Sequence, residues 1–250
     1  MKKGMIAFVL FGVIATLSAQ GPAPAQAPAP PPTPRAGAPI DLTGYWVSVV
    51  NEDWRWRMVT PPKGDTASVP LNPEGTKVAG AWNPATDGSC LAYGAAGLMR
   101  MPTRLHITWE SDTVLKIETD AGVQTRRLVF GAVPAAARRP VPSLQGTSTA
   151  EWERPAGRGR GAAAPGVGNL KAVTTNLRAA WLRRNGVPYS EGTTLTEYYD
   201  RFAAPNGDEW LVVTAIVNDP KYLTQDFVTS SHFKKEPDGA KWSPAPCKAI

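Results

Sequence analysis

The chain has 250 residues, with 27 Lys and Arg, 21 Asp and Glu, two His and two Cys, and a formal charge of +6. Eight of the basic residues (Lys2, Lys3, Arg35, Arg138, Arg139, Arg154, Arg158 and Arg160) fall in a leader or in Ala, Pro and Gly-rich stretches, which leaves 19 basic against 21 acidic residues in the part able to pack. A near-neutral domain excludes a broad basic face for nucleic acid, and two histidines exclude a three-His zinc site.

Lys2 and Lys3 precede an apolar run over 5–17 that ends in Leu17-Ser18-Ala19, so residues 1–19 read as a secretory signal. The run is shorter than the roughly 20 residues needed to span a bilayer, which disfavours a membrane anchor. No Cys follows it before Cys90, so anchoring through a lipidated cysteine is not available. A periplasmic or secreted protein without stable membrane insertion is expected. Residues 20–39 are nearly all Ala, Pro and Gly and read as a flexible tether. Residues 40–250 are expected to form one domain.

That domain opens with Gly44-Tyr45-Trp46, the start of a strand with Trp46, Ser48 and Val50 on one face. Trp54-Arg-Trp-Arg-Met58 alternates strictly and predicts a further extended segment with Trp54, Trp56 and Met58 on one side. Asn72-Pro73-Glu74 has the cap and first-turn proline of a helix, which predicts one short helix near 73–82, stopped by Asn83-Pro84. The glycines of Tyr93-Gly-Ala-Ala-Gly97 lack the setting of a phosphate or dinucleotide loop. Segments 105–109, 114–119 and 123–130 read as short strands joined by hairpin chemistry at Ser111-Asp112 and Asp120-Ala121-Gly122. Segments 144–152 and 170–177 form another pair, separated by a Gly/Arg insertion at 154–168 that reads as disordered.

Residues 195–202, 209–217 and 227–235 predict three consecutive strands, the first two joined through Pro205-Asn206-Gly207-Asp208. The middle strand is almost continuously apolar, which suits cover on both faces or nearly so. In the first, Leu195, Glu197, Tyr199 and Arg201 share one face, and alternation does not say whether that face is interior. Cys90 and Cys247 are an even pair in an exported chain and are expected to form a disulfide. Taken together the chain is all-β: an antiparallel meander closing into a lipocalin-like barrel or strongly curled sheet.

The order Cys90, Met99-Arg-Met-Pro-Thr-Arg-Leu-His-Ile107, Ser143-Leu-Gln-Gly-Thr-Ser-Thr-Ala-Glu-Trp152, Leu170-Lys-Ala-Val-Thr-Thr-Asn176, Asn185-Gly-Val-Pro-Tyr-Ser190 and Leu195-Thr-Glu-Tyr198 resembles a large family of exported bacterial β-rich proteins. The resemblance runs from about Asp41 to Cys247 and brings no reaction with it. In that family the Trp152 strand turns tightly into the next, which implies that the 154–168 insertion is peripheral. A looser resemblance is to lipocalin-like calycins, whose first strand opens with Gly-x-Trp as Gly44-Tyr45-Trp46 does. Their pattern packs an Arg of the last strand over that Trp, where this chain has Lys234 and Lys235.

Two functions are carried forward. The first is an exported binding protein holding a small hydrophobic or aromatic molecule in the barrel, with Trp46, Trp54, Trp56, Trp109, Arg126, Trp152, Tyr199, Arg201 and Trp210 as candidate ligand contacts. The second is a cofactor-independent hydratase, isomerase or lyase using His106 with Glu118 or Glu197 as acid and base. It requires His106 and a carboxylate within reach of one cavity. No Gly-x-Ser-x-Gly elbow is present, and no cofactor or metal is expected.

Overall fold

The computed structural model describes residues 31–88, 90–131, 141–154 and 167–247. The expected signal, residues 20–30 of the expected tether and residues 155–166 of the insertion lie outside the described residues. The compact unit begins at Pro32.

In chain order its elements are β1 (Gly44–Val49), α1 (Trp54–Arg57), α2 (Pro73–Ala81), α3 (Ala95–Leu98), β2 (Arg104–Ser111), β3 (Val114–Thr119), β4 (Ala121–Gly122), β5 (Thr125–Phe130), β6 (Thr147–Glu153), β7 (Asn169–Thr175), β8 (Ala180–Arg183), β9 (Val187–Tyr189), β10 (Thr194–Ala203), β11 (Glu209–Asn218), β12 (Phe227–Glu236) and β13 (Ala245–Pro246). Nine of these strands close into a barrel in the order β1-β12-β11-β10-β7-β6-β5-β3-β2. Closure removes both sheet edges, the solution expected of a chain with many short alternating strands.

A ring with an odd number of strands cannot alternate direction all the way round. One parallel pair is required, and it is β5 with β6. The meander is therefore interrupted there, and the first strand pairs with the last, Tyr45 opposite Glu236 and Val49 opposite His232. The three-strand nucleus is as expected: Phe202 faces Trp210 across the β10–β11 hairpin, and Leu211 faces Phe233 on β12.

Alternation places one side chain in two inside. Trp46, Ile107, Ile117, Leu128, Leu170, Tyr199, Val213 and Phe233 point inward and have no accessible surface. The middle of the barrel is thus filled by side chains. On β11 the outward Val212, Thr214 and Ile216 are half-buried, so its continuous apolar run reflects partial cover of the outer face as well.

The barrel has two unlike ends. At the end where β2, β5, β6, β10 and β12 finish, residues 32–42 cross the opening, with Ile40 and Leu42 buried in the core. This segment overlaps the expected tether and is packed on the barrel. At the other end a lobe built from α2, α3, β8 and β9 buries Val69, Ala95, Ala96, Leu182, Val187 and Tyr189 against Leu195, Val217 and Phe227 of the barrel. Gly186 (φ +78°) is required in that lobe, because a Cβ there would lie 2.1 Å from the Trp82 ring.

The helix at Pro73 forms as predicted, with the Asn72 side chain accepting from Gly75 N at 2.9 Å. Two further short helices, α1 and α3, exceed the single one expected. The Trp-Arg-Trp-Arg segment is helix α1 where an extended segment was expected. No neighbouring strand is available to it, and one helical turn puts Trp54 (63% exposed) and Met58 on the outside while Arg57 (2% exposed) turns inward. Cys90 and Cys247 are disulfide-bonded with Cα atoms 5.1 Å apart, and β13 lies parallel to β4 beside the bridge. No described helix is long and apolar enough to cross a membrane.

Candidate functional site

The face bearing Glu197 is the interior. Arg126 on β5 and Glu197 on β10 are both wholly buried and meet fork to fork, Nη1 to Oε1 at 2.8 Å and Nη2 to Oε2 at 2.5 Å. Two strands, β7 and β6, separate their own strands in the ring, so the pair spans the barrel. Arg126 Nη2 also donates to Thr174 Oγ1 at 3.1 Å, and the Thr174 and Ser148 hydroxyls lie 2.7 Å apart. Burial works against the charged guanidinium, but the Glu197 carboxylate outweighs it and raises the Arg126 pKa. Burial likewise pushes the Tyr199 phenol up, with Glu197 adding to it. Both Glu197 oxygens accept from Arg126.

His106 lies on the outer face of β2, directly opposite Glu118 on β3. Its ring stacks on Tyr45 at 4.2 Å, with Trp242 edge-on at 5.9 Å, and Nδ1 is 3.5 Å from Glu118 Oε2. Glu118 is in turn 3.0 Å from Lys116 Nζ. Of the two expected pairs, His106 and Glu118 are brought together on the outer wall, while Glu197 lies inside and does not meet His106. The His106–Glu197 arrangement is therefore not formed.

The aromatic candidates are also divided. Trp109 and Trp152 converge with Phe130 at one end, with ring centroids 5.4 to 6.4 Å apart. Trp152 Nε1 donates to Pro34 O at 2.8 Å, and Arg35 N to Asp112 O at 3.1 Å, which ties the crossing segment to the rim. Arg154 donates to Gly37 O. Beneath them Trp46 Nε1 donates to Leu42 O at 3.0 Å, and Lys235 Nζ sits 4.4 Å over the Trp46 ring. A lysine of β12 thus packs its charge over the indole of β1. Burial lowers the Lys235 pKa. Arg201 is at the same end, paired with Glu209. A groove of about 390 Å³ runs between segment and rim, lined by Arg35, Ala38, Pro39, Ile40, Asp41, Thr43 and Trp109. Trp54 is on the outside of α1, Trp56 is at the opposite end of the barrel, and Trp210 is on the outer wall facing Phe202 and Lys234. These three line no common site with the rest.

Sequence reasoning missed the packing of residues 32–39, whose Ala/Pro composition carries no strand or helix pattern. It also missed three arginines under α1. Arg57, Arg100 and Arg183 are all buried. Arg57 Nη1 is 3.2 Å from Glu52 and Arg100 Nη2 is 2.8 Å from Asp53. Arg183 has no hydrogen-bond acceptor among the described residues. Burial, with Arg100 adding to it, lowers the pKa of Arg57 and of Arg183 to about 10. Asp219 buries a carboxylate that accepts from Ser190 N, Ser190 Oγ, Thr193 Oγ1 and Lys221 N, and so holds two loops together. Among the described residues no cluster of His, Cys, Asp and Glu suits a metal ion.

Comparison of the chain with protein-family models, with curated proteins and with solved structures finds no match.

Proposed function

We propose that this protein is an exported carrier that holds a small apolar or aromatic molecule at the aromatic end of its barrel, between segment 32–42 and the Trp109, Phe130 and Trp152 rings. The observation that carries this reading is the convergence of those rings beneath a segment attached by a few hydrogen bonds. Large flat side chains at an opening supply apolar contact with little loss of rotamer entropy, and the Arg35 and Asp41 groups at the groove edge orient a polar handle. The filled barrel centre moves the expected ligand from the middle to the mouth. A disulfide supports an oxidising compartment, and the Gly44-Tyr45-Trp46 opening on a closed barrel supports kinship of design with calycin carriers.

The test is native mass spectrometry of protein purified from its own compartment, followed by displacement of a fluorescent naphthylamine probe. A retained small molecule, with probe affinity falling by about tenfold or more in Trp109→Ala, is the expected result. Probe binding that is absent from the wild type, or equal in the wild type and in Trp109→Ala, sinks the reading.

A further inference from the structure

We propose that Arg183 anchors a binding site for a small oxyanion, reached when helix α1 lifts the Trp56 ring off its guanidinium. The site is at the end of the barrel opposite the aromatic mouth, so it stands or falls separately from the carrier reading. Arg183 is 4% exposed, and its Nε, Nη1 and Nη2 atoms are buried without a hydrogen-bond acceptor. A buried guanidinium in that condition calls for a specific partner.

The neighbouring carboxylates are already committed. Asp53 is held by Arg100 and Asp65 by Arg55, each at 2.8 Å. What meets the Arg183 guanidinium is the face of Trp56, 4.9 Å away. Nearby, Asn185 Oδ1 and Arg57 Nη2 are also buried without partners, while Asn185 Nδ2 fixes the adjacent loop through Pro62 O and Asp65 O. Three buried arginines against Glu52 and Asp53 leave one positive charge in excess.

The cover over Arg183 is a short element held by side chains: Arg55 to Asp65 at 2.8 Å, Arg57 Nε to Arg100 O at 2.9 Å and Arg184 Nη2 to Arg57 O at 2.8 Å. Helix α1 is a single turn whose N-cap, Asp53, is in the left-handed region (φ 51°) and makes no side-chain cap. Its outer side chains Trp54 and Met58, with Val59 after them, are exposed. Turning α1 outward uncovers a planar fork of N–H groups, whose geometry matches the paired oxygens of a phosphate or carboxylate. The aromatic ring then lies beside the bound ion and screens it from water.

Calorimetry and thermal melts of the full disulfide-bonded chain, with inorganic phosphate and with acetate as separate probes, test this. Saturable binding of one anion with a rise in Tm is expected, and comparison of the two separates a phosphate from a carboxylate site. Arg183→Met should weaken that binding by about tenfold or more and, in buffer free of both anions, melt no lower than the wild type. In a Trp56→Phe background the fluorescence change on adding the anion should vanish. The proposal is overturned if neither anion binds the wild type below about 10 mM, or if Arg183→Met binds within about twofold of it, which would mark an adventitious ion only.

Discussion

Arg126 and Arg183 are both withdrawn from water, and they differ in what faces them. Arg126 meets Glu197 fork to fork inside the barrel, and its pKa is raised in spite of burial. Arg183 meets an indole face in the end lobe, and burial, reinforced by Arg100, lowers its pKa to about 10. That value still leaves it charged at neutral pH. The Arg126 fork is therefore answered by a carboxylate of the chain itself, with only its Nε lacking an acceptor among the described residues, whereas all three Arg183 nitrogens in the lobe lack one. Binding chemistry in this molecule belongs to the ends of the barrel and not to its middle.

The sharpest way to break the comparison is to remove one partner of the satisfied pair. Arg126→Met leaves Glu197 buried alone and should cost about 3–5 kcal/mol in urea unfolding, whereas Arg126→Met with Glu197→Leu should recover most of it. Reduction of Cys90–Cys247 comes next. The bridge ties the lobe to the C-terminal strand across 157 residues of sequence, and its loss should cost about 2–4 kcal/mol. In denaturation without added anions, Arg183→Met should go the other way and gain about 1 kcal/mol, since an uncompensated cation gives way to an apolar side chain.

The smallest effect is expected at the aromatic mouth. There burial opposes the Asp41 carboxylate, and the Thr43 amide and hydroxyl, at 2.9 and 2.7 Å, hold its pKa below the usual value. The resulting stability is fully present above about pH 4, the unfolded aspartate range, and is lost as pH falls through the lower folded-state value. Asp41→Asn should remove that part of the acid dependence in a pH series of thermal melts.

Much of the fold was legible in the chain. Period-two alternation marked β10 to β12, the Asn72-Pro73 cap marked α2, and the two cysteines marked their bridge. Alternation divides a strand into two sets without naming the inner one, so Glu197 and Arg126 were readable as a pair only once the barrel was closed. The Trp-Arg-Trp-Arg segment misled because a period of two has meaning only beside a partner strand, and α1 has none. The crossing at 32–42 was invisible because its contacts are made by backbone carbonyls such as Pro34 O, which composition does not report. The arginines under α1 come from three distant segments, at 57, 100 and 183, so no local spacing connects them.

Pairing of β1 with β12 makes the first barrel strand the neighbour of a strand that is synthesised 187 residues later, since Val47 lies opposite Lys234. The cylinder cannot be sealed before β12 has been made. Until then β1 and β11 each lack a partner on one side, an open template for misassociation that is covered only when β12 arrives. Slow folding, governed by that one long-range closure, follows from the seam itself.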